Sequence, residues 1–80
     1  MSPDELHRFV AGVLGVDPAR VHEDLGYGDI LEWDSVHHVE IVLALEERLG
    51  IEIGPEQIVE LTPVSVIEEF VAAHSSGAAD

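Results

Sequence analysis

From Ser35 to Leu49 the chain runs without glycine or proline, and Gly50 follows. The spacing predicts one helix over 35–49, capped by Asp34 or Ser35 and stopped by Gly50. At about 100° per residue, Ile41, Val42, Leu45 and Leu49 fall on one side, the natural core face. Val36, Val39 and Leu43 fall on the opposite side, with Glu40, Glu46 and Glu47 flanking them. A helix in a small bundle needs only one apolar stripe. The second strip is therefore covered by a loop or offered to a partner. The interleaved carboxylates favour a docking surface, because burial under a loop strands them.

Three further helices follow from the same signals. Ser2 can cap the first, Pro3 suits its first position, and Glu5 completes a capping box. Leu6, Phe9, Val10, Val13 and Leu14 then make one stripe, which Gly15 ends. Gly54-Pro55 starts a short helix through Glu60, and Thr62-Pro63 repeats a cap-then-proline signal. Val64, Ile67, Phe70 and Val71 form the stripe of the last helix. Between the first two helices lies a long connection over 16–34, with Val21, Leu25, Ile30 and Leu31 placed to pin it across the bundle. Ile51-Glu52-Ile53 is too short to pair as a strand on its own. The domain is expected over 1–74, with a small, polar, flexible tail over 75–80.

Eighty residues make one domain, which buries only roughly 60% of its unfolded surface. It has one modest aliphatic core and no room for a deep active site. Seventeen carboxylates stand against three arginines, for a formal charge of -14. Self-repulsion keeps such a chain soluble and monomeric, argues against nucleic-acid binding, and calls for partners rich in Lys and Arg. Cysteine is absent, which excludes disulfides and thiolate sites. No apolar run approaches membrane-spanning length, so a cytoplasmic protein is expected.

Asp34-Ser35-Val36, leading into Val39-Glu40-Ile41-Val42-Leu43-Ala44-Leu45-Glu46-Glu47 and then Gly50-Ile51-Glu52-Ile53, resembles the acyl carrier protein family. That family has Asp-Ser-Leu, an acidic amphipathic helix and a Gly-Ile-Glu-Ile-like segment. The resemblance covers essentially the whole chain. It implies an all-α four-helix bundle with three main helices, one short helix and a long loop between helices 1 and 2. It implies that Ser35 is esterified by 4'-phosphopantetheine, taken from coenzyme A by a phosphopantetheinyl transferase, and that Asp34 is the adjacent recognition residue. It also implies that Glu40, Glu46 and Glu47, with Val36, Val39 and Leu43, dock loading, acyl-transferring and condensing enzymes. His37-His38 and Trp33 depart from the pattern of fatty-acid synthesis. They turn the expectation toward acyl or aminoacyl cargo in a specialised pathway, polyketide or nonribosomal peptide. The alternatives are fatty-acid synthesis and a non-covalent acidic interaction module of the same fold.

Catalysis by Ser35 itself is not expected. No G-x-S-x-G elbow is present, Asp34 is a sequence neighbour and not the third member of a triad, and the chain is small. A Ser35 pairing with His37 or His38 stays open at this point. An attachment site needs an exposed hydroxyl at a loop-to-helix junction, where free N–H groups and the helix dipole favour a phosphodiester. Ser35 as a simple N-cap is the rival reading. His37 and His38 point about 100° apart and make a poor chelating pair. The stretch from Asp24 to Ser35 lacks the ligands of a calcium loop, so no metal is expected. His38 projects toward the core face, at the mouth of any cargo pocket that Ile41, Val42 and Leu45 line. The helix dipole disfavours protonation of either histidine.

Overall fold

The computed structural model describes residues 1–75. Among them the chain forms four α-helices and no strand: α1 (Pro3–Leu14), α2 (Ser35–Leu49), α3 (Pro55–Glu60) and α4 (Val64–Ser75). The expected tail lies outside the described residues, apart from Ser75, which closes α4. A 3₁₀ turn, Pro18–Arg20, interrupts the long connection, with Asp17 Oδ1 accepting from the Ala19 amide at 2.8 Å. The all-α bundle expected of an acyl carrier fold is present.

Local chemistry sets the helix ends. The Glu5 amide donates to Ser2 Oγ at 3.2 Å and the Ser2 amide donates to Glu5 Oε1 at 2.8 Å. This reciprocal pair satisfies two donors that the first turn leaves without partners. Gly15 and Gly50 close α1 and α2 at φ +74° and +69°. In that left-handed region a side chain costs energy and glycine does not.

Leu6, Val10 and Leu14 of α1, Ile41, Val42 and Leu45 of α2, and Val64, Ile67 and Val71 of α4 are buried together. Each fully buried aliphatic side chain contributes about 1.5–3 kcal/mol. Phe9 and Val13 pack half-buried at the edge of this core. His7 Nε2–H donates to Glu68 Oε2 at 2.9 Å and ties α1 to α4.

The long connection is held chiefly by backbone bonds to the start of α4. The Val64 amide donates to the Leu25 carbonyl at 2.9 Å and the Ser65 amide to the Glu23 carbonyl at 3.0 Å. These are the donors that a helix start leaves free, so the loop itself caps α4. Thr62 has a different task from the expected cap: its Oγ accepts from the Tyr27 amide at 2.8 Å. Gly26 is required beside it, since a Cβ there meets Thr62 Oγ at 2.9 Å. Val21 and Leu25 are buried and Ile30 half-buried, as the pinning expectation requires. Leu31 is not a pin, being 94% exposed. Trp33 takes the interior position, fully buried.

Candidate functional site

Ser35 is the first residue of α2 and is exposed. The cap is Asp34, whose Oδ1 accepts from the His37 amide at 2.9 Å. The Ser35 hydroxyl is therefore not spent on capping, and the rival N-cap reading falls away. The amides of Ser35 and Val36, at the first turn, have no acceptor within the helix. Together with the dipole they favour an anion at the Ser35 oxygen.

The same Asp34 oxygen accepts from His37 Nδ1–H at 2.9 Å. The His37 amide and then its side chain, as donors, hold the Asp34 carboxyl below its ordinary value. The Asp34 hydrogen bond holds His37 above its ordinary value, against partial desolvation. The expected suppression of His37 protonation by the dipole is thus corrected. A carboxylate at bonding distance outweighs the partial charge of a helix end.

Beside Ser35 lies a cavity of about 230 Å³, lined by Tyr27, Ser35, His38, Val39, Ile58, Val59 and Thr62. An exposed hydroxyl, free amides around it and an adjoining cavity fit a phosphodiester-linked arm. Residues 4–71 match the family model described as phosphopantetheine attachment site. An acyl carrier protein of Thermosynechococcus vestitus is 34% identical over 68 residues, covering 85% of this chain and 84% of that protein. One of Rubrobacter xylanophilus is 32% identical over 72 residues, covering 90% and 89%.

The chain belongs to the acyl carrier protein family. Its cofactor is 4'-phosphopantetheine, covalently attached, and its role is that of a carrier. A carrier of this family interacts with a phosphopantetheinyl transferase and with acyl-handling enzymes. No helix among the described residues is long and apolar enough to cross a membrane.

The outward strip of α2 is bare. Val36, Val39 and Leu43 are 62%, 43% and 54% exposed, and Glu40 and Glu47 are exposed beside them. The long loop does not cover this face of the carrier. Glu46 is engaged within the chain, its Oε2 accepting from the Ile53 amide at 2.6 Å. That bond fastens the segment after α2 to the helix.

His38 is buried and borders the cavity. Its Nδ1 accepts from Trp33 Nε1–H at 3.0 Å, so its proton sits on Nε2, which donates to the Ile58 carbonyl at 2.7 Å. With both nitrogens engaged, His38 is no base for Ser35, and His37 turns its Nδ1 to Asp34. Ile41, Val42 and Leu45 are packed in the core, and the cavity beside Ser35 is lined without them. Among the described residues no group of three or more side chains is placed to hold a metal ion.

Sequence points to none of Tyr27, Ile58 and Val59 as site residues, and to Thr62 only as a helix cap. Val59 carried a signal. Ile58 and Val59 lie about 100° apart on a short helix that packs only one side, and Val59 is 74% exposed while Ile58 packs inward.

Proposed function

We propose that Ser35 carries the arm and that this chain is a discrete carrier of acyl or aminoacyl groups without turnover of its own. The observation behind this reading is an exposed serine at the first position of α2, relieved of capping by Asp34 and open to the cavity between α2 and α3. In the loading reaction the Ser35 oxygen bonds to the pantetheine-side phosphorus of coenzyme A, and the diphosphate P–O bond breaks to release adenosine 3',5'-bisphosphate. The hydroxyl proton passes to a base of the transferase. The arm, once attached, supplies a thiol that holds the cargo as a thioester on a flexible tether, which raises its effective concentration at each enzyme.

Asp34 is the residue the transferase reads beside the serine. Val36, Val39 and Leu43, rimmed by Glu40 and Glu47, dock partners with basic surfaces; Glu46 contributes to the same acidic helix through the oxygen not bonded to Ile53. Steering by the net charge of -14 makes the encounter salt-dependent. We place the protein in a specialised biosynthetic pathway, on the departures at Trp33, His37 and His38. Incubation of the apo protein with coenzyme A and a broad-specificity transferase tests the carrier reading by intact mass. A gain of one arm, absent in Ser35→Ala, is expected. No gain under conditions that load another carrier refutes it and leaves the non-covalent module.

A further inference from the structure

The cavity beside Ser35 ends on His38, and His38 is fixed from behind. Trp33 is fully buried, and its only side-chain polar atom is the N–H that His38 accepts. On its other side His38 donates to the carbonyl of Ile58 in α3. One hydrogen-bonded line thus runs from the long loop through α2 to α3. The Trp33 and His38 rings lie edge to edge, 6.0 Å between centroids and 28° between planes, and Tyr27 lies against His38 at 5.5 Å. Ile41, Val42 and Leu45 of the same helix are closed to solvent, at 0%, 1% and 0% exposure.

We infer that Trp33 and His38 form a seal that keeps cargo out of the bundle interior. This carrier presents short acyl groups at its surface and does not draw long aliphatic chains into its core. The inference rests on Ser35 being the attachment point. An alkyl chain that passes beyond this cavity toward Ile41, Val42 and Leu45 has to displace His38. It offers no acceptor to the Trp33 N–H, which is left buried and unpaired, and no donor to the Ile58 carbonyl, which keeps only the longer 3.4 Å bond from the Leu61 amide. A short group, whether plain or carrying a hydroxyl or amine, leaves that line intact.

The wild-type protein is loaded by a transferase from acetyl- and octanoyl-coenzyme A, and each product is verified by intact mass. Methyl NMR spectra and rates of alkaline thioester cleavage are then compared. The seal predicts that the Ile41, Val42 and Leu45 methyl signals coincide for the two cargoes and that the cleavage rates agree. In Trp33→Phe/His38→Ala the octanoyl cargo moves those signals and is cleaved about tenfold more slowly, as sequestration worth about 1.4 kcal/mol requires. Core signals that move with chain length in the wild type overturn the seal while leaving the attachment at Ser35 standing. A double variant that folds and shows no change overturns the assignment to these two residues. Absence of any mass gain overturns both the seal and the reading beneath it. If the double variant does not fold, the wild-type comparison still decides.

Discussion

Replacing His38 by leucine removes both bonds of the Trp33–His38–Ile58 line while keeping an apolar side chain of similar bulk. The Trp33 N–H is fully buried and loses its acceptor at 3.0 Å, and the Ile58 carbonyl loses the shorter of its two donors, at 2.7 Å, keeping the Leu61 amide at 3.4 Å. A buried polar group left unpaired costs about 1–3 kcal/mol, and the extra apolar burial of leucine returns about 1 kcal/mol. With about 1 kcal/mol for the lost bond to Ile58, the expected net loss is about 1–3 kcal/mol, set against roughly 4–12 kcal/mol of total stability for a domain of this size. In thermal unfolding it lowers the midpoint by roughly 5–20 °C. Urea unfolding of the wild type, His38→Leu, Trp33→Phe and the double variant measures it as a cycle. Trp33→Phe removes the orphaned donor, so the double variant should be more stable than the sum of the single losses by about 1–2 kcal/mol. A His38→Leu loss below about 0.5 kcal/mol, or a cycle that closes with no coupling, would refute the reasoning.

Glu46→Gln replaces a charged acceptor for the Ile53 amide, at 2.6 Å, by a neutral one and should cost about 1 kcal/mol, with faster hydrogen exchange confined to that amide and its neighbours. Gly26→Ala drives a methyl against Thr62 Oγ and the Pro63 ring. It should destabilise by about 1–3 kcal/mol in urea unfolding and raise exchange at the Tyr27 amide. For the Asp34–His37 pair, Asp34 lies below its ordinary value of 3.8, so its contribution is complete above that pH and is lost as pH falls through the folded value. His37 lies above 6.5, so its contribution is complete below that pH and is lost as pH rises through the folded value. NMR titration of His37 should therefore show a raised pKa that returns toward 6.5 in Asp34→Asn. Leu43→Ser, at a side chain 54% exposed, should leave stability within about 0.5 kcal/mol while lowering kcat/KM of the transferase.

The helices were legible because their determinants are local. Ser2, Glu5, Gly15, Gly50 and Pro55 act within a turn of where they stand, and each matches its expected boundary. The same locality placed Ser35 at the start of α2. What escaped depends on contacts between distant residues. Thr62 is read as a cap until the Tyr27 amide arrives from across the fold. Trp33 and Leu31, two residues apart in an irregular loop, have no period to say which turns inward. His37 and His38 look alike in sequence, yet one pairs with a carboxylate at the surface and the other with an indole in the core. In sequence, Trp33 and His38 are two separate departures from the family pattern. The structure makes them one feature, since the buried indole N–H needs an acceptor and the imidazole supplies it.

The most direct test of the carrier assignment is fragmentation of the coenzyme A-treated protein by tandem mass spectrometry. A single arm is expected, whose mass and characteristic ejection fragment map to Ser35. An unmodified Ser35 in fully loaded protein, or an arm located on another residue such as Ser65, would contradict it.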